Sequence, residues 1–229
     1  MSGVPCEGML TTPTTYNFFG GSGSVAAHQP PGGGGWVADT AIVAKTAYIG
    51  PDAKVYGDAV VSSVARIHGK ASVFGRAQVY GDAQVYGNAK VLTNAQVHSN
   101  ARVFGNARVF GSAKVYGVAQ VYGDAQVYDT ARVYGDAKVY GYAKVGGKAC
   151  ARGLANIFNV QVFGGIVVDE PPLLVFHGPY KFLLTPDWLI CGELSQSIED
   201  WIKDTTDDQI KKEAGCLYSR VVSCLEEFV

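Results

Sequence analysis

Histidine is scarce in these 229 residues, which hold only His28, His68, His98 and His177. Four dispersed imidazoles leave little from which to build a general base with an orienting partner. Cysteine supplies no framework either, because Cys6, Cys150, Cys191, Cys216 and Cys224 are odd in number, irregular in spacing and without a Cys-x-x-Cys pair. That pattern excludes the disulfide scaffold of small secreted domains and fits a reduced, intracellular context. No apolar run is long enough to span a bilayer, and residues 1–35 lack a basic start followed by an apolar stretch, so neither a membrane contact nor a signal peptide is expected. A phosphate-binding glycine loop, a zinc-protease helix and a nucleophile triad are missing as well.

What the chain has in abundance is one hexad. From Val37 to Val162 it repeats in 21 units, as in Val79-Tyr-Gly-Asp-Ala-Gln84 followed by Val85-Tyr-Gly-Asn-Ala-Lys90. Val or Ile opens each unit from Val37 to Ile157, with Ala151 the one smaller replacement, and Ala holds the fifth position from Ala41 to Ala155. Such self-similarity marks a solenoid. Within a unit, Ala, x, Val, aromatic alternate in the manner of a short strand, so Ala53 and Val55 face a core while Lys54 and Tyr56 face out. The pair that follows, such as Gly57-Asp58 or Gly105-Asn106, reaches positive φ cheaply and turns the chain once per unit. Three strands and three turns make a triangular coil of 18 residues, and seven coils stack to roughly 33 Å by parallel pairing.

The formal net charge of −1 conceals a division. Residues 37–162 carry 14 Lys+Arg against 7 Asp+Glu, a balance of +7, whereas residues 163–229 carry 5 against 12, a balance of −7. Unlike charges on two parts of one chain favour contact within an assembly, or simply solvate two surfaces. The chain divides into a Gly/Pro-rich arm over 1–35, the repeat over 36–162 and a C-terminal region over 163–229. In the arm, Tyr16, Phe18 and Phe19 are expected to cap the open first coil, with Trp36 serving the same end. In the C-terminal region Leu173–Phe176, Tyr180–Leu184 and Trp188–Cys191 read as strands. Ile198–Lys203 and a segment after Thr206 read as helices, the second carrying Ile210, Ala214, Leu217, Val221, Cys224 and Phe228 as a heptad seam.

These spacings resemble the hexapeptide-repeat left-handed β-helix, over 126 of 229 residues. The resemblance implies a mainly β fold, a left-handed parallel β-helix of about seven coils with a small α+β C-terminal cap. Acyltransferases, carbonic anhydrases and non-enzymatic proteins share that scaffold. The Val-Tyr-Gly-Asn-Ala variant is most similar to phage- and prophage-encoded repeat proteins, and so implies a homotrimer in a bacterial host's cytoplasm or on a virion. Phe182 to Glu193 and Ser197 to Trp201 also resemble the C-terminal region of such proteins. Here Cys191-Gly192 reverses the usual order and Gln196 stands where a histidine is expected.

Two functional readings follow. In the first, the protein is non-catalytic, a structural or ligand-binding solenoid, with sequestration of a host molecule as one concrete version. Its outward ladders of Tyr86, Phe104, Tyr122 and Tyr140, with Arg102, Lys138 and Arg108 as cations, would meet an anionic small molecule, a nucleotide, a glycan or a host protein. In the second, an acyltransferase uses His68 or His98 as its base, although no insertion interrupts the repeat to wall off an acyl donor. Neither a cofactor nor a metal is expected, since His68 and His98 lie 30 residues apart on different faces.

Overall fold

The computed structural model describes residues 14–18, 23–30, 33–162, 164–165 and 167–168, with the backbone of 173–177, 180–184, 188–191 and 194–197. The repeat folds as a mainly β solenoid of about seven turns, with no helix among the described residues. Three parallel sheets form its faces. The first runs from Trp36–Ala38 through Lys54–Val55 and Lys90–Val91 to Gln161–Val162, the second from Ile42–Val43 through Gln78–Val79 to Val167–Val168, and the third from Tyr48–Ile49 through Gln84–Val85 to Asn156–Phe158. From Trp36 to Lys138 each strand pairs with one that lies 18 residues on, so that Lys90 meets Arg108 and Val91 meets Val109. The ladder is continuous, with Lys90 N–H donating to the Ala107 carbonyl at 2.9 Å and Leu92 N–H to that of Val109 at 3.0 Å.

Alternation decides what fills the interior. Every first-position aliphatic residue from Ile49 to Ile157 and every fifth-position Ala from Ala53 to Ala155 is fully buried. A branched side chain and a methyl from each strand therefore fill a narrow triangular core at interior density. Turn geometry is just as regular. From Gly57 onward the third residue of every unit has positive φ, including Ser63, Thr93, Ser99 and Asp129 at 56–64°. A Cβ built on Gly105 would lie 2.9 Å from the backbone nitrogen of Gly123 in the next coil, so stacking as well as φ selects glycine there.

The hexad is not unbroken to Val162. Lys144 pairs with Gln161 and Val145 with Val162, 17 residues apart, so the unit from Ile157 to Gln161 has five residues. Val160 takes the alanine place, and the fourth turn residue is dropped. Asn159 holds the turn at φ 54°, and its side-chain oxygen accepts the Tyr142 N–H at 2.8 Å, where a backbone carbonyl serves in the regular coils. The hexad then resumes, with Gly164 at positive φ and Val167–Val168 paired to Cys150–Ala151, so the second face continues to Val168.

The arm differs from its expected role as a cap over the core. Thr15–Tyr16 and Val25–His28 are strands that add antiparallel to the first face. Tyr16 stacks on Trp36 at 4.5 Å and Phe18 packs on Tyr56 at 4.9 Å, outside the solenoid wall. The reason is register, because Trp36 and Tyr56 occupy outward positions, and rings added before them extend those columns and do not roof the interior. Phe19 lies outside the described residues. Near the open end, Gly33 and Gly35 pass so close to the Ile49 and Gly50 carbonyl oxygens that no Cβ fits.

Leu173–His177, Tyr180–Leu184, Trp188–Cys191 and Leu194–Ser197 form a four-stranded antiparallel sheet, which includes the three strands read from the sequence. The helix over Ile198–Lys203 and the heptad seam lie outside the described residues.

Candidate functional site

Each face presents two outward columns, one from the residue before the core Val and one from the residue after it. The columns after the core Val are aromatic. On the third face His68, Tyr86, Phe104, Tyr122, Tyr140 and Phe158 form one unbroken stack, with neighbouring centroids 4.8–4.9 Å apart and the first five rings within 8° of parallel. Tyr80, His98, Tyr116 and Tyr134 do the same on the second face. The first-face column is interrupted, with Tyr56 on Phe74, then Leu92, then Phe110 on Tyr128. Because the rings lie over one another at the coil spacing, their faces are largely covered by each other and mainly edges and hydroxyls meet solvent. A base or sugar ring cannot insert without parting the coils.

The candidate residues fall on two faces. Tyr86, Phe104, Tyr122 and Tyr140 share the third-face stack, and Arg102 and Lys138 stand in the column beside it, separated by Gln120. Arg108 stands apart. It lies on the first face, its guanidinium 5.9 Å from the Phe110 ring centroid.

His68 opens the third-face stack, and His98 is held between Tyr80 and Tyr116 on the second. Burial among these rings lowers both imidazoles below their ordinary pKa, with Arg66 adding to the effect at His68 and Lys114 at His98. The His98 Nδ1 lies 3.1 Å from the Ser99 hydroxyl. No described carboxylate pairs with either ring. Burial likewise raises the pKa of Tyr122, as does its neighbour Tyr140. Among the described residues no group of three or more His, Cys, Asp or Glu side chains could hold a metal ion.

Register reveals a feature that sequence reading missed, a separation of charge by position in the hexad. The columns before the core Val carry Lys54, Lys90, Arg108 and Lys144 on the first face, Lys114 and Arg132 on the second, and Arg66, Arg102 and Lys138 on the third. No acidic residue occurs in any of them. All seven carboxylates of residues 37–162 (Asp39, Asp52, Asp58, Asp82, Asp124, Asp129 and Asp136) sit at the third or fourth position, on the corners. The periodicity carries this signal once acidic and basic residues are tabulated by place within the unit. The corner side chains also bond to one another, with Asn88 Nδ2 donating to Asn106 Oδ1 and Asn106 Nδ2 to Asp124 Oδ1, each at 3.0 Å. Arg76 and Asp58, 4.0 Å apart, are an exposed corner pair.

Apolar exposure is uneven too. Of the eight large hydrophobic residues exposed in the described region, Ile42 and Val167 lie on the second face, and Val64, Val118 and Leu154 lie on the corner that follows it.

A family model described as the YdcK beta-solenoid repeat matches residues 83–99 and 101–117. No curated protein and no solved structure matches the chain. The matched segments fall in the most regular coils, and together with the three parallel sheets they make this chain a β-solenoid repeat protein.

Proposed function

We propose that this protein is a non-catalytic binding solenoid of the phage or prophage type, which offers flat cationic faces to anionic ligands and works as a homotrimer. The observation that carries this reading is the charge separation, with nine cations and no carboxylate in the outward columns that precede the core Val of residues 37–162. The first and third faces, with cations spread from Lys54 to Lys144 and from Arg66 to Lys138 and no acid in those columns, draw anions toward them. The same charges discourage two such faces from packing on each other. Contact between copies is better placed at the second face and its following corner, where five of the eight exposed hydrophobics gather. The acyltransferase reading is the weaker, because His68 and His98 are stacked members of ring columns without a carboxylate to orient them.

Native mass spectrometry of protein taken directly from cells tests this reading, giving subunit number and retained ligand together. A trimer carrying an anionic mass supports both parts, and a monomer ends the assembly argument. Retention on an immobilised sulfated dextran, with elution by salt, tests the charge argument by itself. Passage without delay at low ionic strength would end it.

A further inference from the structure

We propose that the third face binds a linear anionic polysaccharide lying along the solenoid axis, one that carries a carboxylate or sulfate on every second sugar. The inference rests on the cationic-face reading above and narrows it to one face and one polymer class. Arg66, Arg102 and Lys138 stand in a single outward column, each separated from the next by one glutamine, Gln84 or Gln120. All three cations are exposed, and none has a carboxylate within ion-pair distance among the described residues. With strands about 4.8 Å apart, their charges recur about every 10 Å along a straight line.

A pyranose in an extended, diequatorially linked chain advances by close to one coil height. Sugars and coils therefore stay in step over several repeats. A charge on alternate sugars meets Arg66, Arg102 or Lys138, and the uncharged sugar between them meets a glutamine amide, which donates to and accepts from hydroxyls. The hydroxyls of Tyr86, Tyr122 and Tyr140 edge the same track two residues further along each strand, about 6.6 Å to the side.

Other polyanions fit this track less well. Duplex DNA sets a phosphate about every 3.4 Å along each strand and winds away from a straight row. Single-stranded nucleic acid depends on open aromatic faces, which these stacks cover. An extended acidic peptide repeats on one side about every 6.6 Å, out of step with the cations. The first face has more charge but no such rhythm, since Lys90 and Arg108 occupy adjacent coils while Lys54 and Lys144 each stand two coils away.

The test is calorimetric titration of the full chain with hyaluronan oligomers long enough to span the face, beside oligogalacturonate, charged on every sugar, and poly(dT). Hyaluronan is expected to bind tightest. The variant Arg66→Gln/Arg102→Gln/Lys138→Gln should weaken it by about tenfold or more and make the remaining binding less sensitive to salt. Glutamine already occupies this column twice, so the variant keeps its coils, which circular dichroism verifies. The matched first-face variant Lys54→Gln/Lys90→Gln/Lys144→Gln removes as much charge from the general attraction but should weaken hyaluronan binding several-fold less than the third-face variant. Equal losses in the two variants, or tighter binding of oligogalacturonate or poly(dT), would overturn the register argument while leaving the cationic-face reading in place. If none of the three polymers binds, both readings fall.

Discussion

The middle coils and the ends of the solenoid are built on one hexad, yet they hold to it with different strictness. Between Ala53 and Ile157 each inward residue is wholly buried, and from Gly57 on each turn passes through positive φ. At the start, Ala41 and Ala47 keep 8–9% of their surface, Val43 is only half-buried, and the turns at Asp39, Lys45 and Pro51 avoid the left-handed region. At the other end one unit has lost a residue. A coil with neighbours above and below must repeat their geometry, whereas a coil with one free side can relax. Strict repetition here is thus a consequence of being stacked on twice.

Substitutions matched between middle and end should expose this difference, the largest first. Ala101→Leu forces a large side chain into a fully enclosed layer and should cost about 3 kcal/mol or more, read from the urea midpoint. Ala47→Leu, beside the open end, should cost less than about 1 kcal/mol, and equal effects would break the comparison. Next comes Gly105→Val, which places a β-branched residue at φ 70° against the next turn and should cost about 2 kcal/mol. Lys45→Val, at the same unit position in the first coil, should be close to neutral.

Phe104→Ala removes a ring stacked on both sides and should cost about 1–2 kcal/mol. Phe158→Ala removes one described to stack on Tyr140 alone and should cost about half as much. The smallest effect concerns pH. Since the folded protein lowers the pKa of His68 and His98, the unfolded chain binds more protons as pH falls below about 6.5. Stability is therefore full above that pH and declines slightly on acidification, until the folded-state imidazoles titrate as well. The double variant His68→Phe/His98→Phe should keep both stacks and flatten that part of the profile.

Much of this could be read from the chain. The inward Ala and Val, the outward columns and their partners 18 residues away follow from a period that admits one register. The five-residue unit was harder to see, because Val160 and Val162 are both aliphatic and either can pass for the next core residue. Pairing of the arm was illegible for another reason, since Thr15–Tyr16 and Val25–His28 belong to no period and find their places only against an existing edge. For the candidate site, the sequence placed Tyr86, Phe104, Tyr122 and Tyr140 in one column but could not say that the rings would cover one another. That geometry turns attention from ring faces to the charges beside them. Arg108 shares the chemistry of Arg102 and Lys138, and the 18-residue period already places it in a different ladder, the one on the first face.

The five-residue unit and the antiparallel arm also bear on how copies avoid fusing into fibres. A solenoid terminus is an unsatisfied strand edge, and identical regular termini would seat on each other to grow an endless cross-β rod. Here a chain approaching the first face meets a strand running the wrong way, and one approaching the last coils meets a perimeter one residue too short for an 18-residue ring. The two ends of the regular register described here are thus mismatched to each other.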